Sequence, residues 1–285
     1  MLTPGRCLIA AWVTATAVAG IVPPCARAGA PLAPEAVSLD RGRRDVPRIA
    51  LTFDGGSGAG DTERILAVLE ERGVSATFFL TGEFIVGQPD LVRRIAAGGH
   101  EVGNHTWSHP HLTAWERTQR QDTLPGVDRA LLRRELARTG EAYERLTGSR
   151  LAPLWRAPYG EVNGEIARWA AAEGWRHVGW SRNDAGGRHT LDSLDWVAER
   201  SSRNYLTSAQ MVQRILSFDA GGSGLNGGIV LMHLCTRRED PLAGRLASLI
   251  DALRGRGYEL STVGALRLDL EPSAATVTLA ALARP

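Results

Sequence analysis

The sequence predicts a single α/β domain folded as a distorted (β/α) barrel with about seven parallel strands. Short apolar runs alternate with amphipathic helical segments through most of the chain. One such run, Gly228 to Met232, is continuously apolar, as a strand covered on both faces must be. Residues with chemistry gather just after the runs, where a parallel barrel carries its functional rim. An open doubly wound sheet shares that property and stays as the second architecture.

At the N-terminus Arg6 precedes an apolar run from Cys7 to Val22, followed by Pro23-Pro24 and the small-residue pattern Ala26-Arg27-Ala28. This pattern predicts a signal peptide over residues 1–28, and with it a secreted, periplasmic or cell-envelope location. Thr14, Thr16 and Gly20 interrupt the run, so a retained anchor is the weaker reading. Residues 29–45, rich in Ala and Pro at their start and aperiodic, read as a linker. Cleavage would leave Cys235 as the single cysteine, with no intramolecular disulfide.

The domain is expected over 46–270. Arg48–Phe53 reads as a strand, and Asp61–Arg72 as a helix with Ile65, Leu66, Val68 and Leu69 on one side. Asp61 or Thr62 would cap that helix, Gly73 would stop it, and Ala76–Leu80 would complete a βαβ unit. Further strands are expected at Glu101–Gly103, Leu154–Arg156, His177–Ser181, Gly228–His233 and Tyr258–Val263. A helix over Asp128–Leu146 would set Leu132, Leu136, Tyr143 and Leu146 on one stripe. Residues 271–285, rich in Ala, read as a fraying tail.

Among 285 residues, 33 Lys+Arg against 31 Asp+Glu give a formal charge of +2. That balance excludes the broad basic field a nucleic-acid partner requires, and no segment after residue 28 is long and apolar enough to span a bilayer.

The predicted rim holds Asp54, His105, His109, Arg156 to Tyr159, and His233. Asp54 ends an apolar strand, where desolvation would raise its basicity. Its ordinary alternative is a cap on the Gly55–Gly60 loop. His105 and His109 stand four apart, so one helical turn over Asn104–His109 would let them share a cation. Pro110 works against helix at His109, and a solvated surface turn is the alternative. Arg156 could pair with Asp54, or make a surface ion pair. His233 reads equally as a satisfied core histidine.

These segments together resemble the polysaccharide deacetylase family, carbohydrate esterase family four, over roughly Val46–Leu270. The five segments in order are Thr52-Phe53-Asp54-Gly55-Gly56, His105-Thr106-Trp107-Ser108-His109, Arg156-Ala157-Pro158-Tyr159, Asp192-Ser193-Leu194-Asp195-Trp196 and Leu231-Met232-His233. The resemblance implies an enzyme that removes N-acetyl groups from amino-sugar residues of a polysaccharide such as peptidoglycan or a chitin-like glycan. It implies that His105 and His109 bind a divalent metal, zinc first among candidates, and that Asp54 is the base, held ionised by Arg156. His233 would be the acid, with Asp192 as its first-choice carboxylate partner and Asp184 as the other. Tyr159 would line the substrate and stabilise the oxyanion through its backbone N–H, and Trp196 would line the substrate too. The family's third metal ligand is an aspartate where this chain has Gly55. Three readings follow: the metal is held weakly, another carboxylate such as Asp61 or Asp184 joins it, or no metal is required. A glycan-binding module with little catalysis, and an O-acetyl esterase using the same residues, are the competing readings.

Overall fold

The computed structural model describes residues 38–183 and 189–270. The strands are β1 (Ser38–Leu39), β2 (Arg48–Gly55), β3 (Thr77–Leu80), β4 (Glu101–Asn104), β5 (Leu154–Trp155), β6 (Arg176–Val178), β7 (Gly228–His233) and β8 (Glu259–Ser261). The α-helices are α1 (Thr62–Glu71), α2 (Gly82–Gly87), α3 (Pro89–Ala97), α4 (Trp115–Thr118), α5 (Arg129–Thr147), α6 (Gly164–Ala172), α7 (Ser208–Leu216), α8 (Leu246–Gly255) and α9 (Val263–Leu270). The strands pair in parallel in the order β1-β6-β5-β4-β3-β2-β7, with β8 also on β2.

Closure separates this architecture from an open sheet. Between β6 and β7 no full strand intervenes among the described residues. Instead Ser181 N donates to Ile229 O (3.1 Å), Ile229 N returns a bond to Ser181 Oγ (3.0 Å), and Asp192 bridges Leu231 in parallel. The ring is thus completed by the backbone bonds of Ser181 and the bridge at Asp192, outside any regular strand. This is the distorted parallel barrel, with eight strands, two of them only two residues long.

The extra strand corrects the expected linker over 29–45. Ser38–Leu39 pairs with His177–Val178, Leu39 is buried, and Arg41 reaches Gly224 O (2.6 Å) and Asn226 O (3.0 Å). Two residues carry too short a pattern to be seen as a strand; only the waiting edge of β6 makes them one. The expected signal peptide and tail lie outside the described residues. No helix among the described residues is long and apolar enough to cross a membrane.

The two faces of β2 sort the core. Successive side chains point to opposite faces. Ala50 joins Phe79, Leu154, Val178 and Ile229 in one buried cluster, whereas Leu51 and Phe53 join the helix-facing cluster with Ile65, Leu66 and Leu69. By the same alternation Thr52 and Asp54 point inward with Ala50. Val263 and Leu266 of α9 belong to the inner cluster and plug the lower end. The predicted helices form with shifted ends. α5 is capped by Asp128, whose side chain accepts from Leu131 N, and it stops at Gly148 with φ 73°. α1 has Asp61 at its cap position without a side-chain bond, and Gly73 turns the chain with φ 57° as expected.

Candidate active site

Register delivers the first two groups. Asp54 on β2 lies opposite His233 on β7, so adjacent strands bring a carboxylate and an imidazole to the same level of the rim. Arg156, just past β5, runs across the barrel interior fully buried. Its Nη1 donates to Asp54 Oδ1 (2.7 Å) and Thr52 Oγ1 (2.9 Å), Nε to Val178 O (3.2 Å) and Nη2 to Gly179 O (2.9 Å). The Phe79 ring lies 4.2 Å from the guanidinium carbon. A buried arginine is tolerable only when paired in this way.

Asp54 is also buried, and burial, the largest single effect, pushes its pKa up; the charge and hydrogen bond of Arg156, together with His105 and His233, outweigh it and hold the carboxyl below its ordinary value. The expected rise in basicity is therefore corrected: Asp54 is ionised near neutrality, as a weak but reliably available base.

His105 follows β4 directly. Its Nδ1 lies 2.9 Å from Arg156 O, and only an N–H can meet a carbonyl there, so Nδ1 carries the proton and Nε2 a lone pair. Nε2 faces Asp54 Oδ2 at 3.6 Å. The ring centroids of His105 and His109 lie 4.8 Å apart, at 73°. The two rings do meet, but not through the helical turn expected over Asn104–His109. Thr106 (φ 66°) and His109 (φ 56°) are left-handed, and Asn104 Oδ1 takes the Thr106 N–H (2.9 Å). Pro110 keeps His109 out of helix. Burial drives both pKa values down, that of His109 to about 3 with help from His105. Neutral imidazoles of this kind are what a cation needs, and a carbonyl on the far nitrogen is the usual orienting contact of a metal-ligating histidine.

No third ligand among the described residues completes the pair. Among the described residues no set of three His, Cys, Asp or Glu side chains is arranged to hold a metal. A Cβ on Gly55 would lie 2.8 Å from Leu80 Cδ2 and 3.0 Å from Leu234 Cδ1, so leucines fill the room an aspartate would require. Asp61 interacts with Asp195 and Arg64 instead, and Asp184 lies outside the described residues. Two imidazoles beside a carboxylate are groups whose chemistry suits a divalent cation.

His233 pairs with Asp195, not with Asp192. Nδ1 of His233 lies 2.7 Å from Asp195 Oδ1, and His233 N donates to Asp195 Oδ2 (2.9 Å). Burial opposes protonation of His233, but the charge and hydrogen bond of Asp195 carry its pKa up to about 9. Asp192 instead accepts from Leu194 N (2.8 Å) and from Trp196 Nε1 (3.2 Å), and burial raises its pKa. The cause of the misassignment is local. Asp192 is held beside Leu231, and the left-handed Leu194 (φ 62°) then swings Asp195 under His233. The pair Asp192 and Asp195, three apart in one segment, was the available signal; the kink that chooses between them was not.

Two aromatic groups flank the center. Tyr159 (φ 57°) is 54% exposed, with the His109 ring edge-on at 4.5 Å and the His111 ring stacked at 4.0 Å. Trp196 is 52% exposed and tethered by Asp192. His111 and its fully buried partner Glu161 (2.9 Å) were not anticipated from the sequence.

A buried carboxylate clamped by arginine, two neutral imidazoles and a separate imidazole–carboxylate pair on a parallel barrel's rim define a hydrolytic center of the acid–base type. The family model for polysaccharide deacetylase matches residues 41–178. A chitooligosaccharide deacetylase of Rhizobium leguminosarum bv. trifolii is 32% identical over 80% of this chain and 95% of its own length. A peptidoglycan-N-acetylglucosamine deacetylase of Bacillus cereus is 32% identical over 76% of this chain; the match spans 64% of that relative, less than two thirds of its length. The solved structure of Bacillus subtilis PdaA, a family 4 carbohydrate esterase, matches with a TM-score of 0.65 at 25% identity, over 83% of this chain and 87% of that one. The chain belongs to the polysaccharide deacetylase family.

Proposed function

We propose that this protein hydrolyses N-acetyl groups from amino-sugar residues of a polysaccharide, peptidoglycan or a chitin-like glycan, with a divalent cation held by His105 and His109. The observation that carries the reading is the split between Asp54, ionised against Arg156, and His233, protonated against Asp195. One group is ready to take a proton and the other to give one at the same pH. Zinc would supply positive charge that eases deprotonation of a water and polarises the acetyl carbonyl. Asp54 takes the proton of the attacking water. His233 gives its proton to the sugar nitrogen as the carbon–nitrogen bond breaks, leaving acetate and a free amine. Asp195 stabilises the imidazolium throughout. The backbone N–H of Tyr159 is the proposed oxyanion donor, and Tyr159 and Trp196 are the proposed walls for the sugar ring.

Acetate release from N-acetylated glycans, with and without a chelator, tests this reading. Release that is lost on chelation, restored by zinc and absent in Asp54→Asn is expected. Glycan binding with no release would instead favour a binding module, for which the missing ligand at Gly55 is the supporting feature. Release only from O-acetylated glycans would favour an esterase. Export is proposed on the pattern of residues 1–28, and the N-terminal sequence of the protein recovered outside the cytoplasm tests it.

A further inference from the structure

The turn that carries His105 and His109 has no regular structure of its own, yet two of its residues hold left-handed backbone angles. Each such non-glycine residue is strained, and it persists only where neighbours over-determine it. The neighbours are visible on both sides. On one side α2 presents N–H groups: Gly82 N donates to Thr106 O (3.0 Å) and Glu83 N to Trp107 O (3.2 Å). A Cβ on Gly82 would overlap the Trp107 indole, so only glycine lets the turn approach this closely.

On the other side α5 presents acceptors. Glu135 Oε2 accepts from both Trp107 N and Ser108 N, each at 2.8 Å, and both of its oxygens lie within 3.3 Å of Ser108 Oγ. Asn104 Nδ2 donates to Leu136 O (2.9 Å), and the Arg138 guanidinium carbon lies 3.6 Å from the center of a Trp107 ring. The carbonyls of the turn are thus addressed by α2, and two successive N–H groups by one carboxylate oxygen of α5. Charge-assisted bonds of this sort are about twice as strong as neutral ones.

We infer that Glu135 is a positioning residue that holds His105 and His109 side by side, by fixing the two peptide N–H groups between them. It touches neither substrate nor metal. The inference rests on the reading of the two histidines as a cation pair, and it adds that the pair is set by α5 and not by its own segment.

The test uses the full chain, its Glu135→Ala and Glu135→Gln variants, and Glu141→Ala as a control on the same helix, where Glu141 pairs only with Arg145 among the ion partners seen. Cobalt(II) affinity and the visible spectrum of the cobalt protein are measured, with amide hydrogen exchange at Trp107 and Ser108. Loss of an orienting contact of this kind costs roughly 10–100-fold in metal affinity, so Glu135→Ala should weaken cobalt binding by that factor, alter the spectrum and lose protection at both amides. Glu135→Gln keeps the acceptor oxygen without its charge, so it should fall between Glu135→Ala and wild type on all three readouts, and Glu141→Ala should match wild type. Wild-type affinity and protection in Glu135→Ala, or a Gln variant as impaired as Ala, would overturn the inference. Should the wild-type chain bind no cobalt, the cation reading fails by itself; unchanged exchange in Glu135→Ala would then still refute the clamp, and lost protection partly restored by Gln would sustain it.

Discussion

The two histidine regions of the rim behave in opposite ways, although the His105 side chain is 3% and the His233 side chain only 26% exposed. At His105 and His109 burial prevails and both rings are neutral; at His233 a carboxylate prevails and the ring is charged. The difference lies in what each Nδ1 meets. His105 spends it on the neutral carbonyl of Arg156, and although the charge of Asp54 acts to raise its pKa, burial is the larger effect. His233 spends it on Asp195, for which no arginine competes among the hydrogen bonds and ion pairs seen. A carboxylate bonded directly to the ring, present at His233 and absent at His105, therefore separates the acid from the neutral rings.

Removing the base breaks the comparison most completely. Asp54→Asn leaves Arg156 buried without its counter-charge and no acceptor for the water proton; acetate release should fall by roughly 10²–10⁴-fold, and activity near wild type would sink the assignment. Asp195→Asn should collapse the contrast between the two regions. The pKa of His233, followed by NMR, should drop from about 9 toward the unperturbed 6.5 or below, with kcat falling by about 10²-fold. Asp192→Asn should cost less than Asp195→Asn in the same assay, and the reverse order would restore Asp192 as the partner.

Smaller effects sharpen the same contrast. Gly55→Asp should fail to strengthen metal binding, because its side chain would enter the space of Leu80 and Leu234. Overpacking of this kind typically destabilises by about 1–3 kcal/mol, to be read from a thermal or denaturant melt, and tighter zinc binding without loss of stability would contradict the packing argument. Linkage gives the smallest test. The folded-state pKa of His233 lies above the unfolded value of 6.5, so its contribution to stability is fully present below about pH 6.5 and is lost as pH rises through about 9. A melt series from pH 6 to 10 should show that decline in wild type and not in Asp195→Asn.

The legible part of the molecule was the part that local pattern controls. The run Gly228–His233, the βαβ unit around α1, the stripe of α5 and the order of five motifs all rest on short-range sequence, and a parallel α/β sheet follows from their alternation, whereas its closure rests on the contacts of Ser181 and Asp192 with β7. Ser38–Leu39 was not legible, since it is a strand only because β6 offers it an edge. The fates of Asp192 and Asp195 were not either, since one left-handed residue between them exchanges their directions.

The sequence by itself determined which side chains reach the rim, because a residue that follows an inward-facing strand position must emerge there. Only the tertiary structure decided their charges and partners. Those depend on distances of a few ångströms between segments far apart in the chain, such as Asp54 to Arg156 and Asp195 to His233, and Coulomb and desolvation energies vary steeply over such distances.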